Sequence, residues 1–273
     1  MRIAILDLYE GQANQGMRCI RQLIREFAEQ FGIDVTLDEF EVRLSQQVPD
    51  LSYDIYISSG GPGSPLESEG SEWEEKYFNW LHKVEQWNNN EENTAKKFVF
   101  FICHSFQLVT RHYGIAHVTK RKSTAFGVFP VHMLPSGKRE IVFQGLADPF
   151  YVVDSRDYQV IQPDYLLMKE RNATVLCIEK YRPHVPYEQA IMAIRFNKYM
   201  IGTQFHPEAD ARGMSIHLQT EERKKIVIDN HGEEKWKSMI EELNDPEKIM
   251  ATYAHILPNF LKEAHKQLQV SLV

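Results

Sequence analysis

Five apolar residues in a row, Phe98, Val99, Phe100, Phe101 and Ile102, run straight into Cys103. Such a run suits a strand buried on both faces of a parallel sheet, and it is too short to cross a membrane. Beyond Cys103 the apolar spacing becomes helical, with Phe106, Val109 and Tyr113 three or four positions apart and Gly114 as a stop. The pattern therefore predicts a strand over 98–102, a helix from 104, and between them a sharp turn that exposes the Cys103 side chain at the top of the sheet. A thiol at a helix N-terminus sits where partial positive charge favours a thiolate.

The same rhythm of strand and helix precedes this turn. Residues 2–8 are rich in strand formers, and Met17, Ile20, Leu23, Ile24, Phe27 and Phe31 recur at helical spacing until Gly32 closes the run. Residues 33–40 alternate like a half-exposed strand. Residues 53–58 form a short apolar strand that ends in a glycine- and proline-rich turn, and residues 71–87 read as an amphipathic helix. Alternation of this kind predicts a parallel sheet with right-handed crossovers, covered by helices on both faces. After Gly114 the pattern becomes all-strand, over 126–133, 140–143, 151–153, 175–180, 190–196 and 199–205, and the later segments are expected as antiparallel additions at the sheet edge. From Gly213 the chain turns helical and charged. Trp236, Met239, Ile240 and Leu243 form one stripe, residues 244–246 a break, and Ile249, Tyr253, Ile256, Leu257, Phe260 and Leu261 a second stripe. No repeat or linker interrupts the chain, so a single domain over 1–273 is expected, with a helical insertion at about 211–246 and a terminal helix at about 247–269.

Composition narrows the partners. A formal charge of −7 offers no attraction to nucleic acid or to an anionic membrane, so neither is expected. Asp7 interrupts the first apolar run too early for a signal peptide, and a cytoplasmic protein is expected. Three cysteines, Cys19, Cys103 and Cys177, are an odd count without metal-ligand spacing, so neither a disulfide framework nor a metal site is expected. The chain shows no phosphate-binding glycine loop either, and no cofactor is expected.

Three separated pieces have complementary chemistry. Cys103 supplies a nucleophile, His206 a base for its proton, and Glu208 a carboxylate to orient the imidazole. Positions 206 and 208 of a strand point to one face, so one backbone conformation aims both at one thiol. The Gly60-Gly61-Pro62-Gly63 turn lets the backbone approach a ligand, and a donor there together with the His104 N–H would make an oxyanion hole. Each piece also has a plainer reading: a buried inert thiol, a strand exit, an ordinary tight turn. Order, spacing and fold context together favour the chemical one.

The Ser-Gly-Gly-Pro-Gly-Ser run at 59–64, Cys103 with Gln107 four residues on, and the Gly-Thr-Gln-Phe-His-Pro-Glu run at 202–208 resemble the class I glutamine amidotransferases, in particular the glutaminase domain of GMP synthetase. The resemblance covers about 2–208 and resumes near the Ile-Leu-Pro-Asn-Phe-Leu run at 256–261. It implies a flavodoxin-like, doubly wound, mostly parallel α/β sheet with antiparallel edge strands. It further implies that Cys103 attacks the glutamine side-chain amide to give a thioester, that His206 shuttles the proton, and that Glu208 orients it. By the same resemblance the oxyanion donors are the backbones of Gly61 and His104, and Gly63, Gln107, Ser155 and Tyr158 contact the substrate.

Two departures stand out. Phe101 and Ser105 occupy positions where the family has small residues, typically glycine, and Phe101 is bulky enough to crowd the turn. The family's Ser-His-Gly-Asp segment reads Ser155-Arg156-Asp157-Tyr158, where Arg156 either meets a substrate carboxylate or pairs with Asp154 or Asp157 at the surface. The 211–246 segment begins three residues after Glu208 and is expected beside the mouth of the site, as a lid, a docking surface, or a patch on the domain's own flank.

Three functions stay open at this point. The first is hydrolysis of glutamine to glutamate and ammonia for a synthase on another polypeptide. The second is hydrolysis of γ-glutamyl peptides or conjugates without a partner. The third is a non-catalytic binding protein. A homo-oligomer is equally open.

Overall fold

The computed structural model describes residues 1–181, 188–243 and 246–270. The first half alternates as expected: β1 (Arg2–Asp7), α1 (Gln15–Phe31), β2 (Thr36–Glu41), β3 (Ile55–Ser58), α2 (Glu72–Asn89), β4 (Phe98–Ile102) and α3 (His104–Tyr113). Asn14 caps α1 by accepting from the Met17 N–H, and Gly32 closes it in the left-handed conformation. The second half holds β5 (His117–Met133), β6 (Phe150–Ile161), α4 (Tyr165–Glu170), β7 (Thr174–Glu179), β8 (Ile191–Asn197) and β9 (Met200–Thr203), followed by α5 (Ala211–Leu218), α6 (Glu221–His231), α7 (Glu233–Leu243) and α8 (Pro246–Val270).

All nine strands join one sheet in the order β2-β1-β3-β4-β9-β8-β7-β5-β6. The first five are parallel, and from β9 onward every pairing is antiparallel. Period-two alternation along β4 divides the core. Phe98, Phe100 and Ile102 face α1 and α8, whereas Val99 and Phe101 face α2 and α3. The sheet is thus covered on both faces, the doubly wound α/β arrangement the alternation predicts. Among the described residues no helix is long and apolar enough to cross a membrane.

Several boundaries differ from expectation. Residues 140–143 do not form a strand; Ile141–Phe143 is a 3-10 turn whose first N–H groups are met by Glu140, and Val142 and Phe143 pack in the core shared with α8. Strands β5 and β6 run far beyond the apolar segments that signalled them, because their outer halves are polar. The short helix α4, capped by Asp164, had no apolar periodicity to announce it. The predicted break falls largely on residues 244 and 245, which lie outside the described residues.

The charged helices pack on the domain itself. Val227 of α6, Trp236 and Ile240 of α7 and Ile249 of α8 meet Val128 and Val153 of the β5/β6 hairpin, with Phe126 and Tyr151 alongside. The start of α5 is tied down separately: Asp210 accepts from the Gly213 N–H and pairs with Arg18 of α1 at 2.7 Å.

Candidate active site

Cys103 occupies the turn between β4 and α3 with φ 48° and ψ −96°, a conformation that a side-chain-bearing residue adopts only under local constraint. The constraints are visible. The Cys103 N–H donates to Thr203 O at 2.8 Å, tying the turn to β9. The Ser105 hydroxyl accepts from the Ile102 N–H at 2.9 Å and donates to Ser58 O at 2.8 Å, tying it to β3. Ser105 thus braces the turn. Phe101 does not crowd it: its side chain lies on the opposite face of the sheet, edge-on to Phe196, with Gly202 as its partner across the strands. A side-chain carbon at Gly202 would lie 2.9 Å from the Phe106 ring and 3.1 Å from Phe101 Cβ, so the absent side chain there makes room for both rings.

His206 and Glu208 come from a bend beyond β9 rather than from a strand. Strand β9 ends at Thr203, and the bend is held by Gln204 N–H donating to Met192 O and His206 N–H donating to Val153 O, at 2.8 and 2.9 Å. The outcome is still a pair: Nδ1 of His206 lies 2.8 Å from Oε1 of Glu208. The ring lines the same cleft as Cys103. Burial opposes the imidazolium, but the Glu208 carboxylate and the Cys103 sulfur outweigh it and raise the imidazole well above its ordinary value. The other two cysteines are inert by comparison. Burial pushes the Cys19 thiol up to about 12, and it also raises Cys177 well above the usual thiol range.

Gly61, Gly63, Cys103, His104, Gln107, Ser155, Tyr158, His206 and Glu208 all line one cleft of about 320 Å³. The N–H groups of Gly61 and His104 donate to no other group among the described residues. The His104 imidazole is buried and held neutral, its pKa lowered to about 3 by burial and by Arg43 and Arg111. Ser155 and Tyr158 present carbonyls: Cys103 Sγ lies 3.8 Å from Ser155 O, and Gln107 Nε2 donates to Tyr158 O at 3.3 Å.

Arg156 is neither at the surface nor free for a carboxylate ligand. Its side chain is 1% exposed, with Nε 3.0 Å from both Asp154 carboxylate oxygens and Nη2 2.5 Å from Glu179. Arg121 joins the same cluster through Glu179 at 2.9 Å. Guanidinium and carboxylates therefore neutralise one another beneath the cleft wall.

Two residues in contact with the site were missed in the sequence, the fully buried Gln204 and the cleft-lining Tyr9. Gln204 links Cys103 Sγ, at 3.8 Å, to Gln107, at 3.2 Å; its place next to the His-Pro-Glu run was the signal. Tyr9 extends the cleft toward Asn14, Gly16 and Gly213, and its phenol is raised well above the ordinary value by burial and then by Glu208 and Cys103. Nothing in the local sequence around Tyr9 distinguished it from a strand end. Among the described residues no group of three or more His, Cys, Asp or Glu side chains stands ready to hold a metal ion.

A strained thiol, an imidazole bonded to a carboxylate and two unpaired backbone donors at one cleft form the equipment for acyl transfer from an amide. Comparison with protein families agrees: the model described as Glutamine amidotransferase class-I matches residues 16–226. The chain belongs to this family. Class I glutamine amidotransferases are cysteine-nucleophile amidohydrolases, and this protein is an enzyme of that kind. Solved structures share its fold at low identity. A glutamine amidotransferase from Thermotoga maritima superposes with a TM-score of 0.65 at 16% identity, over 97% of this chain and 97% of that one. The glutaminase domain of CTPS from Trypanosoma brucei, with bound acivicin, gives 0.56 at 13%, over 97% and 94%. A protein from Thermoplasma acidophilum, assigned to GMP synthase as one of its subunits, gives 0.50 at 20%, over 80% and 90%. No curated protein matches the chain in sequence.

Proposed function

We propose that this class I glutamine amidotransferase hydrolyses the side-chain amide of glutamine to glutamate and ammonia, through Cys103, His206 and Glu208, and supplies the ammonia to a separate synthase. The observation that carries this reading is the convergence of Cys103 and the His206 imidazole on one cleft, with the Glu208 carboxylate 2.8 Å from the imidazole Nδ1. In the proposed cycle the Cys103 thiolate adds to the amide carbon, and the N–H groups of Gly61 and His104 receive the oxyanion. Such donors typically stabilise the transition state by about 3–4 kcal/mol. His206 gives its proton to the departing nitrogen, the C–N bond breaks, and ammonia leaves a γ-glutamyl thioester on Cys103. His206 then takes a proton from water, the hydroxide adds to the thioester, and glutamate departs as the sulfur regains its original state. Gly63, Gln107 and the carbonyls of Ser155 and Tyr158 are the groups proposed to hold the amino-acid end.

A second reading draws on the extent of the cleft, which continues past the thiol to Tyr9, Asn14, Gly16 and Gly213. That extension offers space for the amine portion of a γ-glutamyl conjugate, which water would cleave without a synthase. Ammonia release from glutamine, measured beside aniline release from a γ-glutamyl anilide, separates the two. Glutamine turnover at a higher kcat/KM supports the first reading, and turnover of the anilide alone replaces it with the second.

A further inference from the structure

The turn that carries the proposed oxyanion donor has almost no side chains of its own with which to hold position. Residues 60–63 are Gly-Gly-Pro-Gly, and Pro62 has no N–H to contribute. A side-chain carbon at Gly61 would lie 2.4 Å from Leu8 O, so the Gly61 backbone rests directly on the end of β1. Such close contact leaves the donor's direction to be set from either side of it.

Both sides are held. On one, the Ser59 hydroxyl accepts from the Leu8 N–H at 2.9 Å and donates to Gly60 O at 2.8 Å. In a trans peptide the C=O and N–H point in opposite directions, so fixing Gly60 O turns the Gly61 N–H away from it. On the other side stands Arg43, two residues beyond β2. Its Nη1 donates to Pro62 O at 2.7 Å and reaches Leu8 O at 3.4 Å, bridging the turn to the strand beneath it. Its Nη2 pairs with Glu10 at 3.2 Å, and the guanidinium lies 5.4 Å from the Trp73 ring centre. The side chain is 11% exposed. A guanidinium can satisfy these directions at once because its donors form a rigid fork, which an ammonium does not.

We propose that Arg43 is a positioning residue for catalysis, which fixes the Gly61 N–H toward the developing oxyanion by bridging Pro62 O and Leu8 O. This inference rests on the reading of Gly61 as an oxyanion donor. It adds a residue from the far side of the sheet edge that no motif of the family's sequence pattern pointed to.

An oxyanion donor acts in addition to the carbonyl and not in direct displacement at a saturated carbon. The test therefore compares, in Arg43→Gln and Arg43→Lys, steady-state hydrolysis of glutamine and of a γ-glutamyl anilide with the rate at which iodoacetamide alkylates Cys103. Loss of a whole oxyanion donor costs about 10²–10³-fold in kcat, and a misaimed one is expected to cost about 10–100-fold. The expected result is a fall in kcat of that size for Arg43→Gln and a smaller one for Arg43→Lys. KM stays within about twofold, and alkylation proceeds at the wild-type rate. Unchanged kcat in both variants of an active enzyme overturns the positioning role alone. A parallel loss of alkylation and hydrolysis also overturns it, because that marks general damage to the site. A wild-type protein that alkylates at Cys103 but hydrolyses neither substrate overturns the positioning role together with the function proposed above.

Discussion

The parallel half of the sheet, β2-β1-β3-β4-β9, and the antiparallel half, β8-β7-β5-β6, meet the cleft in different ways. The parallel half is packed on both faces, and its strand ends deliver Cys103, the Gly61 turn and the bend that carries His206 and Glu208. These groups are held by short backbone and hydroxyl bonds and by their place at the ends of buried strands. The antiparallel half delivers main-chain carbonyls, Ser155 O and Tyr158 O, and it keeps its charges in a sealed cluster of Arg156, Asp154, Glu179 and Arg121. The contrast separates two tasks. Apolar packing fixes the groups proposed to react, and a buried polar network shapes the wall proposed to recognise substrate.

Removing one member from each half should therefore produce different symptoms. The largest effect is expected for Glu208→Gln, on activity: kcat for glutamine should fall by about 10²–10⁴-fold with little change in stability. It should also move the pH profile. The carboxylate helps raise the imidazole, which keeps its proton further into the alkaline range; without it the alkaline limb of kcat/KM should shift to lower pH. A limb that stays in place would separate Glu208 from the imidazole. Arg156→Met should strike the other half, on stability. It leaves Asp154 buried without its cation and Glu179 with Arg121 alone, and a cost of about 3–5 kcal/mol is expected in denaturant titrations. A neutral result would mean that the network is dispensable to the wall. The smallest effect is expected for Ser105→Ala, which strands the buried Ile102 N–H, at about 1–3 kcal/mol. Unchanged stability there would show that strand packing alone holds the turn.

The same contrast governs what the sequence made legible. Where burial is two-sided, the code is dense: the five apolar residues before Cys103 marked β4 at its observed bounds, and helical spacing with Gly32 marked the end of α1. In the antiparallel half the outer strands carry Lys120, Arg121 and Lys122 beside Asp154, Arg156 and Asp157, a pattern that reads as loop although Arg121, Asp154 and Arg156 turn inward and pair there while Lys120, Lys122 and Asp157 face water. Ile141, Val142 and Phe143 are apolar for packing under α8, not for strand pairing. The Phe101 side chain was misjudged because spacing from Cys103 says nothing about which face a strand residue takes until the alternation is anchored. Among the site residues, Cys103, His206 and Glu208 were visible as side chains of distinctive chemistry. Tyr158 contributes a carbonyl, which any residue could supply, and Arg43 acts from the end of an exposed edge strand on a turn nineteen positions away.

The central claim is that one of three thiols forms an acyl bond with the substrate. Acid-quenching the enzyme during turnover of glutamine or a γ-glutamyl anilide, followed by peptide mapping by mass spectrometry, tests it. A γ-glutamyl group should appear on the peptide containing Cys103 and on neither Cys19 nor Cys177, whose burial keeps them protonated. An adduct on either of those two, or sustained turnover by Cys103→Ala, would contradict the account.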